Sequence, residues 1–300
     1  MLDTIGIKHF YQALPCDDFK RKWKSLSNAR HPTWTHNAKG SETLPNLTMI
    51  LTPNGIYHLS AQVSLPKLLF GHNARLPNQQ EVNQGLQIMA EYTEGTSGLP
   101  FDVQTATTSL IHFANDIQLT EPGVWQMVEK LSKRQMKPLR KNFYEDSTLY
   151  FTSRAKTRQI RIYPKLQAVL DEKNATKQAI EEANGNLRFE YCLLKKSAID
   201  SLISRYGLPD NKAQNLLTEN VSDRLISELL ERLNFFDLLS NDKTSLAILR
   251  EHFPTKKAMN LCGFLHMEKE HGRNFYKDES LGISKDSYYR CLRDCRKAKV

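Results

Sequence analysis

The stretch RQIRIYPK, residues 158–165, sets a tyrosine between an arginine and a lysine. Successive side chains of a strand point to opposite faces, so Arg161 and Tyr163 share one face while Ile160 and Ile162 occupy the other. A phenol beside cations has a defined chemistry: it can attack phosphorus to give a phosphotyrosine. Arg161 or Lys165 would then lower the phenol pKa and hold phosphate oxygens. Pro164 has no amide hydrogen for a central ladder and marks the strand end just before Lys165.

Two further segments alternate in the same way. In TTSLIHFANDIQL, residues 107–119, His112, Ala114, Asp116 and Gln118 fall on one side and Phe113, Ile117 and Leu119 on the other. In NLRFEYCLLKK, residues 186–196, Arg188, Glu190 and Cys192 oppose Leu187, Phe189 and Tyr191. If these strands neighbour the tyrosine strand in one sheet, Asp116, Glu190 and Tyr163 converge. Two carboxylates suit a hard divalent cation, Mg²⁺ or Mn²⁺, which would polarise a phosphate. Alternation alone favours a plainer reading, in which these residues decorate the solvent face of a one-sided sheet. His112 then reads as a packed or surface histidine, and Tyr144 and Tyr150 as structural.

The elements that would position these residues form an α+β pattern, an antiparallel sheet with flanking helices, followed by an α-helical C-terminal region. PNLTMILTPNGIYHLSAQVSL predicts a hairpin turning at Pro53, Asn54 and Gly55. QEVNQGLQIMAEY places Val82, Leu86, Met89 and Ala90 on one helical stripe. A helix is expected to start at Glu121 and Pro122. STLYFTSRAKT supplies the other arm of the tyrosine hairpin, and LQAVLDEKNATKQAIEEANG reads as a charged helix. Beyond about residue 200 only helices are predicted, in AIDSLISRYGLPDNKAQNLL, VSDRLISELLERLNFFDLL and TSLAILREHF, separated at Pro209, Asn220 and Asn241. The expected division is therefore a domain over 1–200 and a helical region over 201–300.

The chain has 300 residues, with 42 Lys and Arg against 33 Asp and Glu, a formal charge of +9. That balance favours polyanions, nucleic acid above all. Five cysteines without a CxxC pair read as free thiols of a reducing cytosol. Cys291 and Cys295 stand one helical turn apart, but no second ligand pair accompanies them for zinc. Asp3 and Lys8 interrupt what would be the apolar core of a signal peptide, and no run approaches the ~18 apolar residues of a membrane helix. A soluble, cytoplasmic protein without membrane partners is expected.

Several segments resemble the replication initiators encoded by gene II of filamentous phages and their plasmid relatives. LFGHNARL resembles the family's Gly-His-Asn segment, NDIQL its acid-bearing strand, RIYPKLQ its tyrosine strand, LRFEYCLLKK its Arg-x-Glu strand and ISKDSYYRCLRDCRKA its last helix. RIYPK is also similar to the tyrosine strand of the Rep_trans plasmid initiators. The resemblance implies a rolling-circle initiator in a bacterial host cytoplasm. Such a nickase and strand transferase cuts one strand at an origin, keeps the 5′ phosphate on tyrosine and later rejoins the strand. It makes Tyr163 the nucleophile, Asp116 and Glu190 the metal ligands, and Lys165 a phosphate partner. Its partners would be origin DNA, duplex and locally single-stranded, and a host helicase and polymerase. Two departures stand: Ala114 and Asn115 precede the acid where a basic residue is the pattern, and no His-hydrophobic-His pair occurs.

Gly71, His72 and Asn73 suit a turn, with DNA contact as the alternative for His72. Near the C-terminal end, Ser284 is a plausible N-cap, after which Arg290, Arg293 and Lys297 form one helical stripe and Tyr288, Leu292 and Cys295 another. The cationic stripe is either a solvated face or a DNA-binding one. The rival to the enzyme is a non-enzymatic initiator or repressor that binds origin repeats, which the charge and the helical tail fit equally well.

Overall fold

The computed structural model describes residues 1–12, 23–26, 29–36, 43–144, 147–172, 174–235, 238, 253–271, 275–277 and 283–297. Among the described residues ten strands run in chain order: β1 (Leu2–Tyr11), β2 (Lys24–Ser25), β3 (Thr33–His36), β4 (Asn46–Leu51), β5 (Tyr57–Ser64), β6 (Thr107–Gln118), β7 (Arg140–Tyr144), β8 (Thr148–Thr152), β9 (Arg158–Pro164) and β10 (Asn186–Leu193). The helices are α1 (Leu65–Phe70), α2 (Gln79–Ser97), α3 (Glu121–Ser132), α4 (Lys165–Leu170), α5 (Lys177–Ala183), α6 (Lys196–Tyr206), α7 (Ala213–Leu216), α8 (Glu219–Arg232), α9 (Thr255–His271) and α10 (Lys285–Lys297). The architecture is α+β, an antiparallel sheet with flanking helices, and after β10 the described regular elements are helical.

The chain divides into two compact units, each assembled from two segments: residues 1–113 with 192–222, and 114–191 with 223–300. The first holds the strand order β2-β3-β4-β5-β1 and then the start of β6. Its hairpin is the predicted one, with β4 and β5 paired in a register that sets Leu51 opposite Tyr57 and Asn46 opposite Gln62. Helix α2 begins at Asn78, whose side chain accepts from the Glu81 amide while Glu81 accepts from the Asn78 amide, a reciprocal cap. Its buried stripe contains Val82, Leu86 and Met89, as the period requires.

The second unit continues β6 and follows it with β10, β9, β8 and β7. The β8–β9 hairpin sets Tyr150 opposite Arg161 and Leu149 opposite Ile162. Leu149, Phe151, Ile160 and Ile162 make the buried face of that hairpin. Helix α3 starts after the Thr120 cap with Pro122 in its first turn.

Two expectations change, and a third falls outside the described residues. The charged segment 166–185 is two helices rather than one, because Thr176 caps α5 by accepting from the Ala179 amide and so opens a new helix start. Asn220 does not separate helices; it lies in the first turn of α8. The predicted helix 244–253 falls, except for Phe253, outside the described residues, as do Asn241 and Cys16. Among the described residues no helix is long and apolar enough to cross a membrane.

Candidate functional site

β9 delivers Tyr163 one residue before Pro164, and α4 starts immediately afterwards at Lys165. The tyrosine is thus fixed between a strand ladder and a helix start. Its hydroxyl donates to Oε1 of Glu190 on β10. Arg161, two residues earlier on the same face, places Nη1 3.5 Å from Oε2 of that carboxylate. Gln159 orients the guanidinium, accepting from Arg161 Nε at 2.7 Å. The Lys165 ammonium lies 5.6 Å from the centre of the Tyr163 ring, within cation–π range, and is almost wholly buried. Tyrosine, carboxylate and two cations therefore meet.

Asp116 has a different setting. Arg188, also on β10 and 0% exposed, donates from Nε to Oδ1 at 2.6 Å and from Nη2 to Oδ2 at 2.8 Å. This fork occupies both oxygens of the carboxylate. The expected pairing of Asp116 with Glu190 around one cation is accordingly not the arrangement in the structure, where each acid is compensated by its own arginine. The sequence signal for Arg188 is its place, with Glu190, in a strand of mostly apolar residues, since a buried arginine requires an anionic partner.

The polar faces of β6 and β10 are not a solvent face. Every residue of β10 after Asn186 is buried, Arg188 and Glu190 included, and His112, Ala114 and Asn115 of β6 are buried as well.

In the second unit, α9 contributes to covering the end of β6. Gly263 leaves room for it: a Cβ there would stand 2.9 Å from the Gln118 carbonyl oxygen. A cavity of about 480 Å³ opens beside this contact, bordered by Asp116, Gln118, Asn186, Asn260, Phe264 and Arg290. Ser284 caps α10 by accepting from the Ser287 amide, as predicted. Tyr288 and Cys295 are buried in a cluster with Phe264 and Phe275, while Arg290, Arg293 and Lys297 are exposed. Burial pushes the Cys295 thiol up to about 12 and the Cys262 thiol up to about 11.

His72 belongs to the first unit, in the turn after α1, where its Nδ1 accepts from the Ala74 amide at 3.3 Å. That is a turn-holding role, the first of its two alternatives.

No protein-family model matches this chain, and no curated protein matches it. Among solved structures, a rolling circle replication initiator protein from Geobacillus stearothermophilus is similar at 12% sequence identity, over 77% of this chain and 84% of that one, with a TM-score of 0.35.

Proposed function

We propose that the chain initiates rolling-circle replication by nicking and rejoining one DNA strand through Tyr163. The observation that carries this reading is the Tyr163 hydroxyl held on the Glu190 carboxylate, with Arg161 on the same carboxylate and Lys165 against the ring. In nicking, the Tyr163 oxygen attacks the scissile phosphorus and its proton passes to Glu190. A bond forms between tyrosine and phosphorus, the bond from phosphorus to O3′ breaks, and the leaving 3′ oxygen takes the proton held on Glu190 to become a hydroxyl. Arg161, one-third exposed, is placed to hold the phosphate oxygens. Lys165 is buried against the ring and favours the developing phenolate. Rejoining is the same path reversed, with the 3′ hydroxyl attacking the phosphotyrosine.

A Mg²⁺ ion held by Asp116 and Glu190 does not fit the side chains, because Arg188 takes one acid and Tyr163 with Arg161 the other. The exposed Arg290, Arg293 and Lys297 of α10 would lie along duplex origin phosphates, with the helical region beyond residue 200 serving recognition and the preceding residues the chemistry. His72 is a weaker DNA contact, and a host helicase and polymerase would act on the nicked product.

The test uses supercoiled plasmids carrying DNA that flanks the coding sequence, incubated with protein and Mn²⁺ or Mg²⁺ and run on denaturing gels. The expected result is a nick with a covalent adduct that maps to Tyr163 by mass spectrometry and disappears in Tyr163→Phe. An adduct mapped to Tyr144 or Tyr150 overturns the assignment. A mobility shift without any nick favours the non-enzymatic binder.

A further inference from the structure

The face that carries Tyr163 extends across β8 to β7. Directly opposed residues of an antiparallel pair project from the same side. Asn142 of β7 opposes Tyr150 of β8, which opposes Arg161 of β9, and Tyr144 opposes Thr148 one step along. Tyr144, Tyr150, Arg161 and Tyr163 therefore share one face, the reverse of the face on which Phe151, Ile160 and Ile162 are buried. Tyr144 is 64% exposed, and its ring stands edge-on to that of Tyr150 with centres 6.3 Å apart. Two aromatic rings are thus left on the open side of a sheet whose other side forms core.

Cations share that face and its rim: Arg140, two residues before Asn142 on β7, lies on the same side as Arg161, and Arg154 and Lys156 stand in the turn between β8 and β9. Aromatic rings interleaved with cations are the means by which proteins hold unpaired nucleic acid: the rings stack on bases and the cations follow the phosphates. A duplex does not suit these rings, because its bases already stack on one another. Neighbouring strands lie about 4.8 Å apart, so β7 is about 10 Å from β9, which puts the platform within a few nucleotides of the Tyr163 hydroxyl.

We infer that Tyr144 and Tyr150 form a stacking platform for the unpaired bases beside the scissile phosphate, with single-stranded DNA as its ligand. The inference rests on the nicking reading and assigns these tyrosines to substrate binding rather than to a second nucleophilic role.

Binding is measured in a Tyr163→Phe background, so that no covalent product forms, with fluorescent 12-nucleotide single strands containing 2-aminopurine at successive positions. Tyr144→Leu and Tyr150→Leu should each weaken binding by about 5- to 150-fold per lost stacked base, with an unchanged salt slope. Tyr144→Phe and Tyr150→Phe should bind like the parent. Quenching of 2-aminopurine should be confined to one or two positions and vanish in the leucine variants. Tyr144 is exposed on its strand, so Tyr144→Leu keeps the test valid even where Tyr150→Leu loses fold. Affinities unchanged in Tyr144→Leu, or no single-strand binding by the parent, overturn the platform. With Tyr163 intact, an adduct on Tyr163 together with unchanged affinities in the leucine variants removes the platform and leaves the nicking reading standing. An adduct on Tyr144 or Tyr150 removes both.

Discussion

Replacing Asp116 by alanine strips Arg188 of both acceptors of its fork while leaving the guanidinium in a site with no solvent exposure. Opposite charges about 4 Å apart interact by roughly 4 kcal/mol at an effective dielectric near 20. Removing one partner of a buried pair costs about 3–5 kcal/mol, because the other charge is left uncompensated. Asp116 is 16% exposed, and water entering the space it vacates would place the loss near the lower end, about 3 kcal/mol. Asp116→Leu combined with Arg188→Met removes both charges and should regain most of that loss. The chain divides into two compact units, so a single global unfolding energy is a poor readout. Native-state hydrogen exchange at the amides of β6 and β10 is the better assay. Mn²⁺ titration of Asp116→Asn accompanies it, with unchanged affinity expected. A loss in exchange protection below about 1 kcal/mol in Asp116→Ala, or a double variant as weak as the single one, would refute the reasoning. A tenfold fall in Mn²⁺ affinity for Asp116→Asn would return the residue to the role of cation ligand.

Glu190→Gln still accepts the Tyr163 hydrogen bond but takes no proton, so adduct formation should slow by about 10²- to 10⁴-fold in single-turnover gels; an unchanged rate would remove Glu190 as base. Gly185→Ala adds a Cβ 2.3 Å from the Leu119 carbonyl oxygen at a residue with φ +66°, and should cost about 2–4 kcal/mol in exchange protection around the start of β10; a cost under 1 kcal/mol would contradict the packing. With thiols pushed up to about 11 and about 12, Cys262 and Cys295 should resist iodoacetamide at pH 8, where only about one in a thousand or fewer is thiolate, and react promptly once denatured. Native labelling at the rate of an ordinary thiol, followed by peptide mass spectrometry, would show that the cluster of α9 and α10 is open.

Local signals carried most of the sheet. Pro53, Asn54 and Gly55 between β-branched runs placed the β4–β5 hairpin, and alternation in RQIRIYPK correctly put Arg161 and Tyr163 together. β1 is hard to see in the sequence, because Asp3, Lys8 and His9 interrupt its pattern; in the structure it pairs with both β5 and β6, and Asp3 is buried. β7 leaves no strand signal in the sequence, because RKNFY shows no apolar face and is largely exposed. At the site, alternation tells which side of a strand a residue occupies but not which residue of the next strand it meets. Glu190 and Asp116 looked equivalent for that reason. Only the pairing across β6, β10 and β9 gives one to Tyr163 and the other to Arg188.

The Arg188–Asp116 fork also bears on how the chain finds its native pairing. The two residues are 72 positions apart, with the whole tyrosine hairpin between them. Strands buried on both sides and rich in apolar residues tolerate a shift along their neighbours poorly, yet apolar contacts alone discriminate weakly between alignments two residues apart, since those keep every side chain on its own face. A slip of two residues would remove Asp116 from Arg188 and leave a buried guanidinium without its anion, a penalty of about 3–5 kcal/mol. The fork therefore acts as a key for the alignment of β10 on β6: a mispaired strand is costly there even when its oily contacts are satisfied.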